Sequence, residues 1–303
     1  MRLGFVGLGN LGRHLAASLV RAGFPLTVHD RDETAARPLL AAGAAWASSP
    51  RDVAAASDSV LTCLPSPVAV DAVVTGDAGL LEGLREGSTW IDSSTNDAHE
   101  LRRLAALAEA GGVRCLEAPV TGGVHLAASG EITVLVGGDA GVFAEHLPVF
   151  EAIGGKVFHI GPLGSASVIK AITNMLAFSH LVASGEALML AKRAGLDLAQ
   201  SFEVIRASSG NSFVHETEGQ VILNGSYNIG FTLDLACKDL RFAQELGREF
   251  GVPLELAGLV EQTFLRAREQ YGGSAWSPMV VKLLEDALGT ELRAPGFPPV
   301  LEA

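Results

Sequence analysis

Cysteine is scarce in this 303-residue chain: Cys63, Cys115 and Cys237 stand far apart. None belongs to a CxxC pair or a metal-ligand spacing, so neither a disulfide framework nor a metal site is expected. Two of the three fall in apolar, strand-like runs, where a thiol behaves as a small buried hydrophobe. Basic residues are also in deficit. Lys and Arg number 22 against 34 Asp and Glu, for a net charge of -12 and a pI of about 5.1. With no Lys/Arg-rich block to offset that excess, neither nucleic acid nor an anionic membrane surface is an expected partner. The longest apolar stretch, around 171–191, is interrupted by Asn174, His180 and Glu186 and does not read as a membrane span. The first apolar run begins at Leu3, which leaves no room for a signal or transit peptide. A cytoplasmic enzyme is the simplest class.

What is present alternates. Leu3–Val6, Leu26–His29, Ser59–Cys63, Thr89–Asp92, Val113–Glu117 and Ile132–Val136 read as strands. Between them, 11–22, 33–42, 98–110 and 140–152 carry helical periodicity, and Asp97 with Glu100 resembles a capping box. Strand–helix alternation predicts an α/β Rossmann-type domain whose parallel sheet has helices on both faces. After Gly161-Pro162-Leu163-Gly164 the pattern turns helical: one long helix from Ser165 to about Arg193, then 197–208, 234–250, 254–270 and 278–288. The expected division is a dinucleotide-binding domain over 1–162 and an all-α domain over 163–303, ending in a Pro-rich tail from Pro295.

Gly7-Leu8-Gly9-Asn10-Leu11-Gly12 matches GxGxxG, a weak pattern alone. Here it follows a strand and opens a helix, which gives each glycine a task. The first permits the tight turn, the second lets the backbone approach a pyrophosphate, and the third lets helix and strand pack closely. Asp30, at the end of the second strand, can accept hydrogen bonds from ribose hydroxyls and favours NAD. Arg31 beside it is either a solvated surface charge or a partner for a 2′-phosphate, which keeps NADP open.

Nicotinamide chemistry requires a group that exchanges a proton with the substrate oxygen, groups that stabilise charge on it, and an orienting pocket. Lys170 and Asn174 lie four apart near the start of the long helix and project from one face. A lysine desolvated on that face would titrate below the usual value of about 10.4, toward the working pH. The plainer alternative is a lysine reaching solvent and an asparagine bonded to a nearby carbonyl. Pro119-Val120-Thr121-Gly122-Gly123 offers unobstructed backbone N–H groups suited to a carboxylate, and Ser93-Ser94-Thr95 follows a strand at the carboxyl edge of the sheet. Both also read as a turn and a helix entry. Lys238-Asp239 is equally consistent with a surface charge pair.

Together these residues resemble the β-hydroxyacid dehydrogenase family. The likeness runs in order through Gly7–Gly12, Leu64-Pro65-Ser66, Asp92-Ser93-Ser94-Thr95, Ala118–Gly123, Val136-Gly137-Gly138, Lys170 with Asn174, and Lys238-Asp239-Leu240. The resemblance implies a hydride transfer between NAD (or NADP) and a small 3-hydroxy acid or its semialdehyde. It implies Lys170 as general acid/base, with Asn174, Thr121, Gly122 and Gly123 on the substrate. Leu64, Pro65 and Thr95 would line the cofactor, Lys238 would reach the nicotinamide side, and the assembly would be a homodimer or homotetramer. Two departures stand out: Thr121 where relatives usually carry Ser, and Thr173 where they often carry Asn. His125 and Asn211-Ser212-Phe213-Val214-His215 match no family pattern. The alternatives are a 6-phosphogluconate dehydrogenase, for which the chain is short, and an imine reductase, which usually lacks the lysine. A reductase of sulfonated or phosphonated aldehydes and a non-catalytic dinucleotide-binding module complete the set.

Overall fold

The computed structural model describes residues 1–301. By internal packing the chain forms two units, the first ending at Lys170 and the second beginning at Ala171.

In the first unit, strands and helices alternate as the apolar runs require. The order is β1 (Leu3–Val6), α1 (Gly12–Arg21), β2 (Leu26–His29), α2 (Arg37–Ala41), β3 (Ala45–Trp46), α3 (Pro50–Ala56) and β4 (Ser59–Thr62). Next come α4 (Pro67–Thr75), α5 (Leu80–Gly83), β5 (Thr89–Asp92), α6 (Ala98–Glu109), β6 (Arg114–Glu117) and β7 (Val120–Thr121). The unit closes with α7 (Gly123–Ser129), β8 (Thr133–Gly138), α8 (Ala140–Ile153), β9 (Lys156–Gly161) and the start of α9 (Ser165–Arg193).

The sheet runs β3-β2-β1-β4-β5-β6-β8-β7, with β9 beside β8. From β3 to β6 every pairing is parallel. Because β1 lies between β2 and β4, the strand order reverses there, and the carboxyl ends of β1 and β4 are where open α/β sheets of this kind bind ligands. Each of β1, β4 and β5 is buried along its whole length, which is why their centres read as apolar on both faces rather than alternating. Successive side chains still divide between two faces. Leu61, Ile91 and Leu116 pack with Leu15, Leu19 and Phe150 of α1 and α8, while Val60, Trp90 and Cys115 pack with Val53, Val70 and Leu104 of α3, α4 and α6.

The sheet departs from the all-parallel expectation at one side: β8 is antiparallel to both β6 and β7. The connection over 122–132 explains this, because a parallel return needs a crossover of a dozen residues or more. Sequence periodicity also passed over β3, β7, β9, α3, α4, α5, α7 and the helix that begins at Phe213. Two of these carry a readable signal: Ser49-Pro50 and Ser66-Pro67 are N-cap and first-turn proline, with each serine hydroxyl accepting an N–H one turn on.

The second unit holds the rest of α9, then α10 (Leu198–Arg206), α11 (Phe213–Asn224), α12 (Leu233–Glu249), α13 (Glu255–Tyr271) and α14 (Lys282–Leu288). By length and composition α9 could cross a membrane. Its Phe178, Leu181, Leu188 and Met189 instead pack with Phe202, Leu240, Phe264 and Val281 in this unit's core, as in the central helix of a bundle. The Pro-rich tail is held by contact: Asn224 Nδ2 donates to the Phe297 carbonyl at 2.8 Å and Ser226 Oγ to that of Pro299 at 2.6 Å.

Candidate active site

The Gly7–Gly12 turn leaves the carboxyl end of β1 and enters α1. Gly7 has φ +100°, and a Cβ there would lie 2.3 Å from the Cys63 carbonyl oxygen. A Cβ on Gly12 would lie 2.0 Å from the Gly7 carbonyl oxygen, so helix and turn can meet only at glycine. At Gly9 a Cβ would meet nothing within 4 Å. An open, side-chain-free approach flanked by two packing glycines is the cradle a pyrophosphate requires, so these residues fit a dinucleotide. Asn10 is exposed, Leu11 half-buried and Leu8 buried.

Asp30 serves the turn directly: its carboxylate accepts the Leu8 N–H at 2.7 Å and the Asp32 N–H at 2.9 Å. That bond was not legible from spacing. The carboxylate therefore braces the phosphate turn at the position expected to meet a ribose, while Arg31 is exposed.

Two more loops meet at this edge. Leu64 follows β4 and donates its N–H to Ser94 Oγ at 2.9 Å, tying the Leu64-Pro65 turn to the Ser93–Thr95 turn. Beneath them lies Asp92, 1% exposed, an acid the sequence offered only as part of a motif. It accepts from Thr62 Oγ1 at 2.8 Å, Ser94 N at 3.1 Å and Asn96 Nδ2 at 3.0 Å. Burial pushes its carboxyl above the usual range, and these donors oppose that shift. Burial, with Asp92 nearby, also pushes the Cys63 thiol up to about 12, so it is inert at neutral pH. Ser93 is buried, and its hydroxyl has no hydrogen-bond partner among the described residues. Thr95 is half-buried in the same turn.

Thr121 ends β7 opposite Thr133, and the next two residues take backbone angles that favour glycine, φ +128° at Gly122 and +89° at Gly123. A Cβ on Gly123 would lie 3.1 Å from the imidazole of His125, which stands beneath the turn half-buried, its pKa lowered by burial.

On α9, Lys170 and Asn174 are both buried, at 7% and 8% exposure, one helical turn apart. Asn174 Nδ2 donates to Asp239 Oδ2 at 2.6 Å, which fixes the amide's orientation. Asp239 on α12 is itself 1% exposed. Lys238 Nζ lies 2.8 Å from Asp239 Oδ1, close enough for an ion pair but off hydrogen-bond alignment, and 4.9 Å from the Phe242 ring centre. Buried Asp239 thus clamps Asn174, with the half-buried Lys238 beside it, rather than forming a surface pair. The start of α9 is held by a second unforeseen acid, Glu117 at the end of β6. It accepts the N–H groups of Gly164 at 2.5 Å, Ala166 at 2.8 Å and Ser167 at 2.9 Å, and the Ser167 hydroxyl.

The first unit therefore gathers the phosphate turn with Asp30, and joins the Leu64 and Ser93 turns over Asp92. The second gathers Asn174, Asp239 and Lys238. The unmatched segment 211–215 belongs to neither group. Ser212 caps α11 by accepting the His215 N–H at 3.0 Å, and the His215 ring is fully buried against Phe202, bonded to its carbonyl oxygen at 3.0 Å.

Known proteins match both halves. Residues 2–161 match the NAD binding domain of 6-phosphogluconate dehydrogenase, and 164–284 match the NAD-binding domain of NADP-dependent 3-hydroxyisobutyrate dehydrogenase. The 2-(hydroxymethyl)glutarate dehydrogenase of Eubacterium barkeri is 32% identical over 96% of this chain and 97% of its own. An NAD-dependent L-serine dehydrogenase of Pseudomonas aeruginosa is 36% identical over 80% of this chain and 84% of its own. The crystal structure of a 3-hydroxyisobutyrate dehydrogenase from Salmonella typhimurium superposes with a TM-score of 0.87 at 32% identity, covering 93% of this chain and 99% of that one. With a dinucleotide cradle, a helical unit and relatives matched along nearly the whole length, this chain belongs to the β-hydroxyacid dehydrogenase family of NAD(P)-dependent oxidoreductases.

Proposed function

We propose that the chain oxidises a small 3-hydroxy acid to its semialdehyde, and catalyses the reverse reduction, with Lys170 as general acid/base. The observation that carries this reading is the buried Lys170, one turn before an Asn174 whose amide is clamped by Asp239. A nicotinamide held there would accept or supply the hydride. In oxidation the neutral Lys170 amine takes the hydroxyl proton; in reduction its ammonium returns one to the new alkoxide. Asn174 orients the same oxygen. Ser93, Thr121, Gly122 and Gly123 receive the substrate carboxylate, and Lys238 adds positive charge on the nicotinamide side.

Gly7, Leu8, Gly9, Asn10, Leu11 and Gly12 would hold the pyrophosphate, Asp30 the ribose, and Leu64, Pro65 and Thr95 the nicotinamide half. Asp30 favours NAD, with the exposed Arg31 left in solvent. The compounds named for the relatives above share the unit HOCH2–CH(R)–COO⁻ and differ at R. This chain's substrate belongs to that class. The domains would divide at about 162, the enzyme would work as a homodimer or homotetramer, and the three unpaired thiols suit the cytoplasm.

A screen with NAD and NADP against 3-hydroxyisobutyrate, L-serine, 2-(hydroxymethyl)glutarate, glycerate and 3-hydroxypropionate, read by absorbance of the reduced nicotinamide, tests this. Turnover of at least one of these acids with NAD preferred is expected. No turnover of any would overturn the substrate class, and a clear NADP preference the role of Asp30.

A further inference from the structure

Glu117 takes no part in the proton transfer just described, yet it holds the helix that carries it. The residue is 1% exposed, and its two oxygens collect four donors from residues 164–167. Three of these are backbone N–H groups at the start of α9, where a helix has no internal partner for them. Burial pushes the Glu117 carboxyl up, and the Ser167 hydroxyl and the three amides oppose that shift. The positive end of the helix adds to their side.

Two further features show that the arrangement is specific. Room for the carboxylate exists because residue 137 is glycine: a Cβ there would stand 2.3 Å from Glu117 Oε1. Gly164, the first donor, has φ +96°, an angle that suits glycine. Lys170 follows Ala166 by four residues and Ser167 by three, so it rises from the same face one turn beyond the clamp. In the other direction, Glu117 continues through Ala118-Pro119 into β7 and the Thr121-Gly122-Gly123 turn.

We propose that Glu117 is a positioning residue for the reaction. It sets the height of the α9 start against the strand that leads into the anion-binding turn, and so the placing of the Lys170 amine. This rests on Lys170 being the proton carrier. A displacement of 1 Å at such a site costs about 10²-fold in rate, so a modest loosening of the clamp should be visible in turnover.

Glu117→Gln keeps the shape but turns an amide NH2 toward N–H donors. With full-length enzyme, NAD and 3-hydroxyisobutyrate, kcat should fall about 10²-fold, with the KM for the acid and the Kd for NADH within about twofold. An acid that merely supports the fold would move affinities and turnover together. The decisive comparison is the double variant. If Glu117 acts through Lys170, adding Glu117→Gln to Lys170→Met should cost little more, as for residues that work as a unit. A loss that multiplies on that of Lys170→Met, or an equal loss of NADH affinity, overturns the proposal and leaves Lys170 standing. Normal turnover in Lys170→Met overturns the proton-carrier reading and this one with it. Should Glu117→Gln fail to fold, Gly137→Ala presses a methyl on Oε1 from a backbone open to any residue. It should lower kcat alone, and unchanged kcat overturns the proposal.

Discussion

Two glycine-rich turns of this chain look alike in sequence and differ in what the fold asks of them. In Gly7–Gly12 the tasks are divided. Gly7 and Gly12 are required by the chain itself, because a Cβ on either would strike a carbonyl oxygen, whereas Gly9 faces open space. In Gly122-Gly123 both residues sit at positive φ, and a Cβ would meet Leu126 at 2.9 Å or His125 at 3.1 Å. In the first turn, then, one glycine is not required by the packing of the chain. In the second, the fold already requires both, so a substitution alone does not separate that demand from one the proposed substrate would make.

The comparison breaks most readily at Gly12. Gly12→Ala should cost about 3 kcal/mol or more of stability, the upper range for overpacking against backbone, read from urea unfolding; a midpoint unchanged from the parent would contradict the packing role. Gly123→Ala comes next. Its strained angle should cost about 1–3 kcal/mol, together with a raised KM for the hydroxy acid and an unaltered Kd for NADH. A raised KM with no loss of stability would mean the turn tolerates the angle and that Gly123 answers to the ligand alone.

Gly9→Ala should leave stability within about 0.5 kcal/mol and weaken NADH binding roughly tenfold, or about 1.4 kcal/mol, by titration calorimetry. Equal losses at Gly9 and Gly12 would erase the distinction between them. Asp30→Ala is the mildest. It removes the acceptor for Leu8 N–H and should cost about 1 kcal/mol of stability while narrowing the preference for NAD over NADP. A preference that survives intact would limit Asp30 to bracing the turn.

The first turn was readable because its strand, glycines and helix all lie within a few residues. The central strands were equally legible, since burial on both faces leaves short, β-branched or apolar runs such as Leu3–Val6 and the Val60-Leu61 centre of β4. The acids were not. Asp92 draws its donors from Thr62, Ser94 and Asn96, Glu117 from 164–167, and Asp239 from Asn174. Apart from Ser94 and Asn96, which follow Asp92 in its own turn, those partners are distant in the chain, and no periodicity records any of them. His215 and Ser212 looked foreign for the opposite reason: one fills the core under Phe202 and the other caps a helix, tasks with many sequence solutions.

The central claim is that Lys170 carries the proton. Oxidation needs its neutral amine and reduction its ammonium, so kcat should rise with pH in one direction and fall in the other. The measurement is kcat against pH in both directions for the parent and for Lys170→Met, with NADH affinity as the control. Opposed slopes in the parent, and in the variant a loss of at least ~10²-fold with both slopes flattened and NADH binding retained, are the predicted result. Near-normal turnover in Lys170→Met, or parallel slopes in the parent, would contradict it.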